Sequence, residues 1–444
     1  MAQNAVDNEI QGIVDETLYL DEFIEMIRDN LKTKKMGIAK GNPRVRVMNL
    51  WGISEPGIGK TQTIQKVAEE EGACYKYIPG ANVFQGDLSG IPSIYTPEGK
   101  VKPEAIKLMI NHYFPRIPEG DEINDPNMEY NKPGFLFVDE IMNMDPLVRG
   151  ELLAYVDGNS KSVDGKEMDN FPPSWFLVMA SNTEATVGDT FVELAANIRA
   201  KFNTYLLKPR PESFIHWMQT YNDPTFSVKG FHPAIISYIS ENKNKDVIAP
   251  HFDTAHERNT ASPRNWEALN VMMRVQDERI ESGQFGSADE IKAARERFEK
   301  KVLTTLGNRV GEDFLKYYKF ESETIDPKTF VEEDCSKCTK KIGAAEVKTF
   351  NKKSVSIRLM TMYRAIDYLD GLDKKVKESK DFKKYLKQIQ DNVVWLISDR
   401  GEDFLVGFID SLFSRFQPEG YLELKDITPE FSKLAKKSIL FQKS

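Results

Sequence analysis

No run of about 18 apolar residues occurs anywhere in this chain, and so no transmembrane helix is expected. Cysteine is scarce: three in 444 residues is too few for a disulfide framework, and the expected setting is a reducing one, the cytoplasm. The amino-terminal stretch Met1-Ala2-Gln3-Asn4-Ala5-Val6-Asp7 has no apolar segment of the kind a secretory signal requires. The five histidines form no H-E-x-x-H pattern. Positive charge is not in excess either. The net charge is −8, which does not favour a general polyanion-binding role. What remains is an ordinary composition, 40% hydrophobic and 29% charged, in a chain long enough for two or three domains.

The apolar pattern divides the chain into four regions. Residues 1–43 read as an amino-terminal helical segment, with Phe23, Ile24, Ile27 and Leu31 at helical spacing. Residues 44–208 alternate between strands and helices. Strands are expected at Val45–Ile53, Cys74–Ile78, Phe135–Val138, Trp175–Ala180 and Thr204–Leu207. Helices are expected at Thr61–Glu71, Ala105–Tyr113, Leu147–Val156 and Phe191–Phe202. Short continuous apolar strands alternating with helices imply a parallel sheet covered on both faces. Residues 209–320 have helical spacing throughout, and residues 321–444 read as a polar connector to about 354 followed by more helix.

The most informative segment follows the first strand: Ser54-Glu55-Pro56-Gly57-Ile58-Gly59-Lys60-Thr61. Strand, glycine-rich loop and helix, in that order, form a cradle for the phosphates of a nucleoside triphosphate. The loop's backbone N–H groups turn inward, and the helix adds its positive end. The cradle runs from Glu55 to Gln62, with Lys60 reaching the β- and γ-phosphates and the Thr61 hydroxyl on Mg²⁺. Ser54 stands where the pattern G-x-x-x-x-G-K-[ST] has glycine.

Four further groups fit the same chemistry. The run Phe135-Leu136-Phe137-Val138 ends in Asp139-Glu140, with Asp139 suited to Mg²⁺ and Glu140 to orienting and deprotonating water. An acidic turn after a buried strand is the plain alternative. A second buried strand ends in Asn182, which could orient the water or the γ-phosphate; an Asn in a turn is common. Arg199 and Lys201 could face a neighbouring subunit's nucleotide or be solvated charges at a helix end. Ser262-Pro263-Arg264 is a sound helix start that leaves Arg264 free to approach a phosphate.

Taken together these residues resemble an AAA+ ATPase, and within that group the MoxR-like and dynein-related subfamily. Asp139-Glu140-Ile141-Met142-Asn143-Met144-Asp145-Pro146, followed by Glu151-Leu152-Leu153, resembles the Walker B strand and its helix. Asn182 matches sensor 1, and Ser262-Pro263-Arg264 matches sensor 2. Asp87-Leu88-Ser89-Gly90-Ile91-Pro92 resembles the segment after the second strand, and Val163-Asp164-Gly165-Lys166 resembles the hairpin before sensor 1. The resemblance covers residues 9 to about 280. It implies a P-loop NTPase core with a parallel sheet, an α-helical lid and a mostly helical carboxyl-terminal region. It further implies ATP and Mg²⁺, a ring that is usually a hexamer, and a trans cation, Arg199 in preference to Lys201 because the family often has Arg-Phe where this chain has Lys201-Phe202. A protein client is implied too, with a von Willebrand A-type partner as one candidate, and the segments 87–92 and 163–166 as contact loops.

Two other functions fit the same core. One is a DNA-directed motor or loader, against which the acidic balance counts; the other is a nucleotide-dependent scaffold with little hydrolysis, which Ser54 would allow. Cys335-Ser336-Lys337-Cys338 has metal-ligand spacing but lacks the four ligands of a structural zinc site, and reads as a pair of reduced thiols. The lysines between 374 and 387 read as a solvated helix face.

Overall fold

Strand side chains alternate between faces, so a strand buried on both sides must be apolar at every position. In the computed structural model, β6 (Gly134–Asp139) sends Phe135 and Phe137 into one buried cluster and Leu136 and Val138 into another. β9 (Trp175–Asn182) does the same, with Phe176, Val178 and Ala180 opposite Trp175, Leu177 and Met179. β2 (Asn49–Ser54) contributes Leu50 to the first cluster and Trp51 and Ile53 to the second. The structure describes residues 16–84, 87–88, 91–95, 105–109, 113–156, 160–163, 166–169, 171–183, 201–222, 229–242, 247–248, 261–284, 287–338, 341–342, 345–346, 350, 353–397 and 402–435. The chain divides into two units, Met1–Pro209 and Arg210–Ser444.

The first unit is built on a six-stranded sheet, every pairing parallel. Its order is β1 (Glu16–Tyr19), β10 (Phe202–Lys208), β2, β9, β6, β3 (Cys74–Pro79). On one face lie the helices Leu20–Ala39 and Lys60–Glu71; on the other lies Pro146–Val156. The helix Leu20–Ala39 buries Phe23, Ile24, Ile27 and Leu31, each contributing roughly 1.5–3 kcal/mol by leaving water. Its start is fixed by the Glu22 carboxylate, which accepts the Tyr19 N–H at 2.9 Å. Near its other end Lys34 is buried, its ammonium donating to the carbonyls of Val45 (2.8 Å) and Pro173 (2.9 Å). Burial pushes the Lys34 amine down to about 8.

The expected fold class stands: α/β, a P-loop core with a parallel sheet, then a largely helical remainder. Several local expectations need correction. Where a helix is expected at Ala105–Tyr113, the described residues Ala105–Met109 form β5, paired antiparallel with β4 (Ile91–Tyr95). A short apolar run fits both periods, and the partner strand decides between them. The strand expected at Val45–Ile53 is β2, which begins at Asn49. The Phe191–Phe202 helix falls largely outside the described residues, and Phe202 itself begins β10. β1 lies within the segment read as helical. It is an edge strand, largely exposed, and so carries no alternation to betray it. The hairpin expected around Asp164-Gly165 is present, with Val163 paired to Lys166 between β7 (Ser160–Val163) and β8 (Lys166–Asp169); the two turn residues are outside the described set, as are Ser89 and Gly90.

In the second unit the long elements are helices, including Pro211–Thr220, Pro233–Glu241, Pro263–Glu281, Ala288–Leu306, Val355–Asp370, Lys380–Leu396 and Glu402–Phe416. Buried polar groups hold them together. Asp367 pairs with Arg274 at 2.8 Å and with Arg415 at 2.7 Å. Burial alone would raise the Asp367 carboxyl, but the two guanidinium groups outweigh it and hold it below the ordinary range. His232 caps Pro233–Glu241: its Nδ1 accepts the Ala234 N–H at 3.1 Å, while Nε2 faces Asp277 at 3.1 Å. Residues 321–354, polar on average, nevertheless contribute Ile325, Phe330, Val331, Cys335 and Phe350 to the core. The Asn392 side chain ties this segment down, accepting from Cys335 N (2.9 Å) and donating to Phe330 O (2.6 Å). Burial pushes the Cys335 thiol up to about 12, so it is an inert core group. Cys338 lies 3.3 Å from Glu333 Oε2.

Candidate nucleotide site

All the strands of the parallel sheet end at the same edge, and β2, β9 and β6 are adjacent, so their last residues meet there. Ser54 pairs with Asn182 across β2 and β9. Beyond Ser54 the chain turns through Gly57 (φ 82°) and Gly59 (φ 92°), both left-handed, a conformation that side chains rarely adopt. The helix Lys60–Glu71 begins at once, with Thr63 N donating to Gly59 O at 3.0 Å, and a turn of this kind can present successive N–H groups to an anion.

Four of the side chains singled out in the sequence lie within hydrogen-bond reach of one another or of the loop. Lys60, 7% exposed as a residue, donates its ammonium to Ser54 Oγ at 2.6 Å and to Asn182 Oδ1 at 3.2 Å, with Glu55 O at 3.5 Å. Thr61 Oγ1 donates to Asp139 Oδ2 at 2.5 Å. Thus Lys60, Thr61, Asp139 and Asn182 occupy one rim, although Thr61 and Asp139 are 78 residues apart in sequence and Lys60 and Asn182 are 122 apart. Two hard oxygen ligands side by side, Thr61 Oγ1 and Asp139 Oδ2, suit Mg²⁺, which prefers few protein oxygens and keeps waters and phosphate oxygens for the rest. Along the cradle Glu55, Pro56, Gly57, Gly59 and Thr61 are partly exposed, Ile58 is buried and Gln62 is exposed.

Glu140 follows Asp139 in a left-handed conformation (φ 52°), the one non-glycine residue with positive φ among those described. Such a backbone costs of order 1–3 kcal/mol and persists where the surroundings impose it. Here the Asp139 carboxylate accepts the Glu140 N–H at 3.0 Å, and Asn143 Nδ2 donates to Glu140 Oε2 at 3.3 Å. Gly80, after β3, packs flush on this turn: a Cβ there would lie 2.7 Å from Asp139 O and 2.8 Å from Glu140 O. The negative potential of the pair is felt nearby. The Tyr77 hydroxyl is raised by burial first and then by Asp139 and Glu140.

Sequence reasoning missed two contributors. Thr183, one residue past Asn182, donates its hydroxyl to Glu55 Oε1 at 2.6 Å and its N–H to Ser54 O at 3.1 Å, stitching β9 to the glycine loop. Ser54 is the other; treated as a departure, it is a direct partner of Lys60. A small polar residue immediately after Asn182 was the available signal for the first, and nothing local pointed to the second.

Of the remaining candidates only Lys201 is described within the first unit. Lys201 is exposed and precedes β10 at the amino end of the sheet, where Phe202 pairs with Asn49. That is five strand residues, roughly 17 Å, from the loop end of β2. Arg199 is outside the described residues. Arg264 belongs to the second unit, exposed in the first turn of Pro263–Glu281, whose Ser262 cap accepts the Asn265 N–H at 3.3 Å.

No described helix is long and apolar enough to cross a membrane. No known family model matches the sequence, and no curated protein does. Among solved structures the chain is similar to a variant of Thermotoga maritima RuvB (15% identity, 70% of this chain and 83% of that one, TM-score 0.32). It is also similar to RuvB of the same organism described as a Holliday junction branch migration motor (16% identity, 65% and 77%, TM-score 0.30). A third similar structure is the ADP complex of Hsp104 from S. cerevisiae (14% identity, 63% and 48%, TM-score 0.30), of which the chain spans about half the length. Likenesses this slight carry no functional argument; the sheet order and the rim of this chain's own residues do.

Proposed function

We propose that this chain is an ATPase of the AAA+ type that hydrolyses ATP with Mg²⁺ and acts as a ring on a protein partner. One observation carries the reading: Lys60, Thr61, Asp139 and Asn182 converge beside the glycine loop at the carboxyl ends of parallel strands. Phosphoryl transfer asks the protein for position and charge neutralisation, and this rim offers both. The backbone N–H groups between Glu55 and Gln62, all residues but Pro56, which has none, cradle the β-phosphate while Lys60 neutralises the β- and γ-phosphates. Thr61 and Asp139 are the protein ligands that would hold Mg²⁺, which when bound neutralises charge on the phosphates. Glu140 accepts the proton of the attacking water, and Asn182 orients that water or the γ-phosphate.

The finer features rest on the resemblance. They are a MoxR-like remodelling role, a hexameric ring, a von Willebrand A-type partner, a trans cation from Arg199 or Lys201, and a phosphate contact from Arg264. The net charge of −8 favours a protein partner over DNA. The test is Glu140→Gln in the full chain. It retains ATP binding and loses turnover; unchanged turnover would remove Glu140 as the base. ATPase activity stimulated by duplex DNA and lost steeply with salt would replace the protein partner with a DNA-directed motor.

A further inference from the structure

The glycine-loop pattern has no side chain at its first position, yet here Ser54 puts a hydroxyl there, fully buried and 2.6 Å from the Lys60 ammonium. That hydroxyl is not free to turn. It donates to Glu55 O at 2.9 Å, which commits its proton and leaves its lone pairs facing Lys60. Its backbone is equally fixed: Ser54 is the last residue of β2, in register with Asn182, and its carbonyl accepts from Thr183 N at 3.1 Å. The ammonium is therefore gripped from two strands, by Ser54 of β2 and Asn182 of β9, while the contact to Glu55 O is long at 3.5 Å.

We propose that Ser54 is a positioning residue that pre-aims Lys60 at the incoming phosphates. The ammonium keeps its bonds to Ser54 Oγ and Asn182 Oδ1 and exchanges the long Glu55 carbonyl contact for a phosphate oxygen. A lysine stem has four rotatable bonds, and fixing the ammonium before the ligand arrives removes an ordering cost from binding. The role of the phosphates rests on the nucleotide reading above; the hold on Lys60 does not.

Two measurements on the full chain separate these. The first is labelling of Lys60 by an acetylating reagent, read by peptide mass spectrometry with no nucleotide present. Ser54→Ala, which fills the same space without an acceptor, raises Lys60 labelling several-fold with other lysines unchanged, and Ser54→Thr returns it to the original level. Unaltered labelling in Ser54→Ala overturns the proposal. The second is affinity for a fluorescent ATP analogue. Ser54→Ala and Ser54→Gly weaken it roughly tenfold, as expected for loss of one hydrogen bond to a charged group, with melting temperatures unchanged and Ser54→Thr restoring it. Equal or tighter binding by Ser54→Ala overturns the positioning role and makes Ser54 a competitor of the phosphates. If the unaltered protein binds no analogue while labelling responds as expected, the hold on Lys60 stands and the ATPase reading falls.

Discussion

The two units bury charged groups for opposite ends. In the helical unit Asp367 is neutralised by Arg274 and Arg415, three helices locked around one carboxylate. In the sheet unit Lys60 is also buried, and the hydroxyl of Ser54 and the amide of Asn182 hold it beside the glycine turn. The first cluster joins helices far apart in sequence, whereas Lys60 sits where the strands end, among the residues proposed above to meet a ligand. The strained turn at Glu140 lies on the same side of the contrast, since among the described residues no other non-glycine residue has a positive φ.

Four experiments break or sharpen that contrast. The largest effect is expected at the poised rim: Glu140→Gln lowers kcat by about 10²–10⁴-fold, the usual contribution of a general base, with little change in unfolding midpoint. A large loss of stability with retained turnover would reverse the assignment of the two units. Next is Asp367→Ala, which leaves the half-buried Arg274 facing the buried Arg415, the latter left with Asp370 at 3.9 Å, and costs about 3 kcal/mol in denaturant unfolding, while ATP-analogue affinity is measured alongside.

Lys34 comes third, because it is a buried cation within the sheet unit that works for the fold. Its amine is about 8 in the folded chain and near 10.5 when unfolded, so between these values the unfolded state binds more protons and stability rises with pH. The rise amounts to at most about 3 kcal/mol between pH 8 and 10.5 and is absent below pH 8. Lys34→Met flattens it, and a slope that survives the substitution would assign it elsewhere. The smallest effect is at His232, where replacement by Ala removes the cap of Pro233–Glu241 and costs about 1 kcal/mol, whereas Asn keeps most of it.

Much of the sheet unit was legible for a definite reason. β2, β6 and β9 are covered on both faces, and full burial writes itself as an unbroken apolar run. β5 was mistaken for a helix because five residues satisfy either period, and its identity comes from β4. β1 was missed because an exposed edge strand has no buried face to mark it. Of the candidate site, the loop and the acidic pair were visible as motifs. The function of Ser54 was not, because its partner lies six residues away across a turn whose geometry no pattern of residue types specifies.

The sequence by itself determined the ingredients: glycines where the loop needs left-handed backbone, apolar strands that must be central, and polar residues placed just where those strands stop. Only the tertiary structure decided which of them meet. The pairing of Ser54 with Asn182 follows from the register of β2 against β9, and a shift of one residue would turn every side chain of a strand to the other face. That register is set by both buried layers at once, so the meeting of Lys60 with an amide 122 residues away belongs to the packed sheet and to no local stretch of chain.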